Sequence, residues 1–437
     1  MRTLFLFTRD LRVHDHPALF DACSNVDEVV PLFALDPTML GVSANRSRFL
    51  LESLVDLDRS LEGLGGRLVL RSGDPVEQTM AVAAETGCST IVLGGDASAT
   101  ARRRERRLGD AAASAGIALR ISPENAVVEP GGVAPSGRAS YRVFTPYFRA
   151  WSDRPRRDLV PVPPRLSVPA DLDPGPRADP ASIAANALDL PRGGERAGRR
   201  RLHRFIGSEL SNYPSGRDDL AADVTSRLSP YLRFGCISAN ELATRAAGLP
   251  GAEAFVRQLA WRDFFLQLLA DDPALAWRDL RASVGVPEPA GSLDRALRAW
   301  REGRTGLPLV DAAMRQLLRE GWIHNRARLV TASFLTRRLG VPWQEGARHF
   351  SRFLVDGDPA NNAGNWQWAA GTGTDPRRAR TLNPVLQAKR YDPTGAYVRR
   401  YVRELSGVGT PLVFAPWKDP ELLRRTGYPE PIVPVAA

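Results

Sequence analysis

Apolar and polar positions follow two different rhythms along the chain, and the change between them divides it. In the first third, short apolar runs at residues 3–8, 28–34, 67–71, 90–94 and 118–122 lack strict alternation. Runs of that kind predict strands buried on both faces. Between them, stretches such as 45–64, 76–86 and 99–114 place apolar residues at three- and four-residue spacing, which predicts helices. Strands separated by helices predict an α/β fold with a doubly wound parallel sheet, and ligands are expected at the carboxyl ends of its strands. Residues 8–19, TRDLRVHDHPAL, follow the first strand and fall at that edge.

Near Glu129 the rhythm fails, and residues 152–195 are dense in Pro, Arg, Asp and Gly with no sustained period. That composition predicts a linker, wrapped on the surface or partly mobile. From residue 196 onward strand signal is almost absent. Helical spacing recurs at 199–210, 239–246, 252–269, 293–301, 309–320, 325–339 and 344–354. The expected division is an α/β domain over 1–128, a linker over 129–195 and an all-α domain over 196–437.

Composition narrows the class. The 437 residues are 43% hydrophobic and 25% charged, as expected of a soluble globular protein. A net charge of +10 suits a polyanionic partner, with nucleic acid the leading one. Of 59 basic residues only Lys389 and Lys418 are lysines, so a genomic bias toward arginine explains the charge equally well. Three distant cysteines and five scattered histidines offer no disulfide framework and no metal motif. No apolar run is long enough to span a bilayer. The start, MRTLFLFTRD, reads as a strand and not as a signal peptide, so a cytoplasmic location is expected.

Candidate chemistry centres on residues 354–375, LVDGDPANNAGNWQWAAGTGTD. Two acids (Asp356, Asp358), a turn rich in amides (Asn361, Asn362, Asn365) and two tryptophans (Trp366, Trp368) suit a site that holds a polar aromatic ring and passes electrons. Upstream, Tyr213 precedes TSRLSP at 225–230. Hydroxyls at a helix start favour an anion, although TSRLS alone reads more simply as an N-cap. Asn325 and Arg328 are three apart and share a helical face. Gln258, Trp261, Arg262 and Phe265 fall on one face at i, i+3, i+4 and i+7, and aromatic walls with a few hydrogen-bonding groups suit an extruded base. Any single tryptophan among nine is more simply a core residue.

Together, Tyr213 with TSRLS, then WRDFF, HNRAR, DGD and WQW, in that order, resemble the DNA photolyase/cryptochrome family over nearly the whole chain. The likeness is strongest to class I-type cyclobutane pyrimidine dimer photolyases. The resemblance implies a Rossmann-like antenna domain followed by a helical FAD-binding domain. It implies FAD held by Tyr213, Thr225, Ser226, Arg227, Leu228, Ser229, Arg328, Asp356, Gly357 and Asp358, with Asn362 beside flavin N5. Trp366 and Trp343 match the first two members of a three-tryptophan electron relay. The third position falls at Ala290, so Trp300 or another aromatic replaces it, or the relay is truncated. In the implied lesion pocket Trp261 and Trp368 flank the dimer, with Gln258, Arg262, Phe265 and Asn325 close by. Arg217, Arg326 and Arg380 match phosphate-contacting positions. An antenna chromophore, 8-hydroxy-5-deazaflavin or methenyltetrahydrofolate, is implied near residues 96–108.

The implied activity is a carbon–carbon lyase reaction. An electron from light-excited reduced FAD splits cyclobutane dimers in UV-damaged DNA, with no membrane or obligate protein partner and a monomeric enzyme. Gln258 and Leu329 stand where glutamate and methionine are usual, and NNAGNW departs from NNGGW. Gln258, Leu329 and the shortened relay suit a cryptochrome-type blue-light photoreceptor, and Gln258 with NAGNW suits a 6-4 photolyase. The short stretch after GYPEPIV suits repair.

Overall fold

The computed structural model describes residues 1–123, 125–282, 292–375 and 381–434. Their contacts form two compact units. The first comprises 1–185, 192–211 and 226–274, the second 186–191, 212–225 and 275–437.

The first unit is built on five strands, β1 (Arg2–Leu6), β2 (Glu28–Leu35), β3 (Val69–Ser72), β4 (Thr90–Gly94) and β5 (Ala118–Ser122). All pairings are parallel, in the order β3-β2-β1-β4-β5. Leu4 lies opposite Val30 on one side and Ile91 on the other. These side chains are fully buried, which is why the central strands read as unbroken apolar runs. β5 is an edge strand with a mostly exposed face. Helices Pro17–Asn25, Ala44–Glu62, Pro75–Thr86 and Ala99–Ser114 alternate with the strands. Local chemistry fixes their ends. Asp74 accepts from the Val76 and Glu77 amides, Pro75 takes the first turn, and Gly87 closes the same helix at φ 64°.

The stretch expected to be a linker is a hydrogen-bonded strap. Val29 donates to the Ser167 carbonyl, Leu166 to Leu64 and Leu70 to Pro174. Within it, Phe144–Asp153 is a helix that composition does not reveal. The helix Ala252–Asp271 groups with the sheet because its buried polar side chains are spent there. Asp263 accepts from the Val127 and Val128 amides and from the Trp151 indole, each at 3.0 Å. Gln267 brackets Tyr141 through both its amide and its carbonyl. This grouping cuts the chain differently from the linear division expected above.

The second unit is helical, and no strand occurs in it among the described residues. Helices Leu293–Glu302, Pro308–Glu320, Asn325–Arg337, Trp343–Phe353 and Pro359–Ala370 enclose a core that includes Trp300, Met314, Phe334, Phe350 and Trp366. The last of these helices corrects the amide-rich turn expected at Asn361–Asn365. Asp358 caps it by accepting from the Asn361 amide, Pro359 occupies its first turn and Gly371 ends it at φ 76°. Gly346 is required by the packing: a methyl group there would come within 2.1 Å of the Trp366 ring.

Candidate cofactor and substrate site

In the second unit, Asn325, Arg328, Leu329, Asp356, Asn362 and Trp366 line one cleft. The helices Asn325–Arg337 and Pro359–Ala370, and the loop that leads into the second, supply them. Arg328 Nη2 donates to Asp356 Oδ2 at 2.8 Å, and its Nε donates to the Ile323 carbonyl at 2.8 Å. The Asp356 side chain is 3% exposed, and its other oxygen, Oδ1, is buried without a hydrogen-bond partner. A buried carboxyl oxygen left without a donor is costly unless a ligand completes it.

Asn362 is more constrained than its side chain alone suggests. Its Nδ2 donates to the Ala347 carbonyl and to Ser351 Oγ, both at 3.0 Å. The carbonyl partner only accepts, so the amide orientation is fixed and both N–H groups are spent. What Asn362 offers the cleft is a carbonyl oxygen. Asp358, by contrast, is used as a cap, taking the Asn361 amide and side chain on one oxygen. Gly357 lies at the turn before it and lines the cleft.

Trp366 and Trp343 are 2% and 4% exposed. The Trp343 indole donates to Asp279 Oδ1 at 2.6 Å. Trp300 does not reach the surface: it is fully buried, donates to the Thr331 carbonyl, and lies 6.0 Å from Trp366 at 69°. The expected third position, Ala290, and the DNA candidate Arg380 lie outside the described residues.

Of two further basic candidates, one is engaged within the protein. Arg326 pairs with Asp218 at 2.9 Å and lies 4.4 Å over the Tyr391 ring. Arg217 is half-buried and ends the short helix Tyr213–Gly216. Tyr213 is buried, and that burial pushes its hydroxyl up to about 12. Trp368 is half-buried, and Asn325 is exposed at the start of Asn325–Arg337.

Tyr213 and Thr225 belong to the second unit, and residues 226–229 to the first. Arg227 is left-handed at φ 49° and Leu228 is right-handed, a sequence of conformations that turns successive amides to one side. Arg201 anchors the loop, donating to the Ser226 carbonyl at 2.8 Å while paired with Glu209. Glu209 closes a π-helical turn, Phe205–Glu209. The helix that follows, Ser229–Arg233, has five residues, so loop amides outweigh any helix dipole there.

The face expected on Ala252–Asp271 separates. Trp261 stacks on Phe144, 3.7 Å between centroids and 5° from parallel, and Phe265 is 5.6 Å from Trp261. Gln258 is half-buried on the same helix. Arg262 turns elsewhere: it donates to the Asn125 carbonyl at 2.7 Å and lines a second cavity, of about 370 Å³.

That cavity lies at the carboxyl ends of β1, β4 and β5, where the sheet order reverses, the usual ligand position of such a sheet. The loop after β1 lines it with Thr8, Arg9, Asp10, Arg12 and His16, opposite Gly94, Gly95 and Asn125. Burial works against the Asp10 carboxylate. The neighbouring His16 ring, the Thr8 amide and the Arg12 charge outweigh it and hold Asp10 below its ordinary value. The basic helix expected to carry this site does not line it. Arg102 donates to the Ala270 carbonyl and Arg107 pairs with Asp74. Sequence reasoning placed residues 8–19 at this edge but had no signal for Asn125, which follows β5.

Two histidines, His324 buried and His349 half-buried, give the second unit an acid sensitivity. Burial pushes His324 and His349 from 6.5 down to about 4, helped by Arg326 and Arg328 at the first and Arg301 and Arg352 at the second. Folding then excludes protons that the unfolded chain binds. Stability is full above pH 6.5 and falls as pH drops toward 4, by roughly 3 kcal/mol for each histidine. Asp263 and Asp311, pushed up by burial, act in the opposite direction. His349→Gln should flatten the fall, measured by urea unfolding at pH 7 and 4.5. An equal fall in the variant would assign the effect elsewhere.

Among the described residues no helix is long and apolar enough to cross a membrane. No group of three or more His, Cys, Asp or Glu could hold a metal ion there.

Residues 3–167 match the DNA photolyase family, and residues 255–437 match the FAD binding domain of DNA photolyase. The chain is 47% identical to the deoxyribodipyrimidine photo-lyase of Streptomyces griseus, over 99% of this chain and 96% of that one. A bacterial class III photolyase structure from Agrobacterium tumefaciens superposes with TM-score 0.91 at 32% identity, covering 99% and 94% of the two chains. The cryptochrome of Synechocystis superposes with TM-score 0.92 at 27% identity, covering 99% and 97%. The chain belongs to the DNA photolyase family and has its FAD-binding domain.

Proposed function

We propose that this protein is a light-driven lyase that splits cyclobutane pyrimidine dimers in UV-damaged DNA, with FAD as its cofactor. The observation that carries the reading is the cleft around Arg328 and Asp356, whose buried, unpartnered Oδ1 fits a hydrogen-bond donor on a planar ring. When bound, reduced FAD supplies the one-electron chemistry of dimer splitting under blue light. Arg328 holds one oxygen of Asp356 and leaves the other for the cleft. Asn362, able only to accept there, favours a ring that presents N–H. Tyr213, Thr225 and the loop 226–229, steadied by Arg201, are assigned to the cofactor phosphates.

On the substrate side, Trp261 is assigned to one wall of the lesion pocket. Phe144 backs one of its faces, so the other is left for stacking. Gln258, Phe265, Asn325 and Trp368 complete the assignment, and Arg217 and Arg380 serve the DNA backbone. Arg326 joins them only by giving up Asp218. Trp261→Ala should weaken binding to dimer-containing DNA about tenfold or more, since stacking is worth about 1–3 kcal/mol per base, with flavin content unchanged. Equal binding by titration would remove Trp261 from the pocket.

The cavity at the sheet edge is assigned to an antenna chromophore of the deazaflavin or folate class. Arg9, Arg12, Arg154, Arg157 and Arg262 outnumber Asp10, Asp21 and Glu129 around it. A cytoplasmic location is in keeping with three free cysteines, and a monomer is proposed with it. The test is to illuminate chemically reduced protein with thymine-dimer DNA and follow the ultraviolet absorbance of intact bases. Recovery in light and none in darkness supports repair. No recovery in light, with damaged DNA bound, would replace it by a photoreceptor role.

A further inference from the structure

Trp277 is 57% exposed, yet its backbone is held from several directions. Gln344 Nε2 donates to the Trp277 carbonyl at 3.2 Å. Gln367 Nε2 donates to the Leu275 and Arg278 carbonyls, and its Oε1 accepts from the Leu280 amide. Asp279, two residues on, accepts the Trp343 indole at 2.6 Å. Gln344 and Gln367 directly follow Trp343 and Trp366 in the chain. The segment 275–280 is therefore stitched to Trp343 and to the chain neighbours of both buried tryptophans, and it presents a third tryptophan to water.

We infer that Trp277 is the point at which electrons enter this chain's tryptophan path, ahead of Trp343 and Trp366. The inference rests on the FAD reading above. With oxidised FAD bound and excited by light, Trp366 would be the residue that gives it one electron. Trp343 refills Trp366, and Trp277 refills Trp343. The Trp277 indole then loses its N–H proton to water, and an external thiol returns one electron and one proton.

The energetics run outward. A missing electron on an indole is a positive charge, and burial penalises it. Trp366 is 2% exposed and Trp343 4%. The Trp343 indole hydrogen-bonds to a carboxylate, which attracts the charge. Trp277 gives it to water. Trp300 offers neither aid: it is fully buried, and its indole N–H donates to the neutral Thr331 carbonyl. Residues two apart are separated by at most about 7 Å along an extended chain, so Trp277 lies close behind the Asp279 that holds Trp343.

The test compares holoprotein with Trp277→Phe and Trp300→Phe variants, all with oxidised flavin and added thiol, by flash photolysis. Trp277→Phe should reduce its flavin at least about tenfold more slowly and lack a long-lived deprotonated tryptophan radical, while Trp300→Phe stays within about twofold of wild type. Peptide mass spectrometry after prolonged illumination in air should find oxidised tryptophan at position 277. Wild-type rates in Trp277→Phe, a larger defect in Trp300→Phe, or no photoreduction in wild type would each overturn the inference. Whether pre-reduced wild-type protein splits dimers is read separately and decides the functional proposal alone.

Discussion

Arg328→Met is expected to yield a colourless, less stable protein. The substitution keeps much of the apolar bulk but removes the cation facing Asp356. The carboxylate that remains is 3% exposed, and breaking a buried pair in this way costs about 3–5 kcal/mol. The same change leaves both Asp356 oxygens without a donor, so the aspartate no longer has a fixed direction toward the cleft. Thermal unfolding and the ratio of visible flavin absorbance to protein absorbance report the two losses. Adding Asp356→Asn should recover most of the stability, because no buried charge is left, but not the flavin. A double variant as yellow as wild type would show that the pair supports the fold and not the cofactor.

Trp366→Phe should separate photoreduction from dimer splitting. Trp366 lies 5.0 Å from Phe350 and 6.0 Å from Trp300 and rests on Gly346. Phenylalanine fills most of that space, so the stability cost is of order 1–2 kcal/mol. It is far harder to oxidise than an indole. Light-driven reduction of oxidised flavin should fall by at least about a hundredfold, some 2.7 kcal/mol of barrier. Dimer splitting by chemically reduced variant should continue, because the path is needed only to prepare the cofactor. Loss of splitting in the pre-reduced variant would place Trp366 in the repair step itself.

The elements most legible in the sequence are those whose apolar period is long and unmixed. Strands β4 and β5 and the helices Ala99–Ser114 and Ala239–Ala246 fall where the pattern places them. The amide-rich stretch misleads because Pro, Asn and Gly dominate its composition. Its helix is settled by the Asp358 cap and the left-handed Gly371, features of position and not of composition. Arg262 misleads for another reason. A helical face gives the direction of Cβ, and a long side chain can bend past it to a carbonyl such as that of Asn125. Spacing gives no account of who is already engaged, which is why Arg326 reads as a free cation and is found with Asp218. Trp277 escapes notice because it sits in no periodic segment. Its standing comes from hydrogen bonds that tie its segment to residues 64 and 67 positions away.

The most direct measurement is cofactor stoichiometry: protein purified, or refolded with added FAD, is denatured and the released flavin quantified. The arrangement of Arg328, Asp356 and Asn362 requires one FAD for each chain, lost in Arg328→Met. A wild-type chain that remains colourless after refolding with FAD would contradict it.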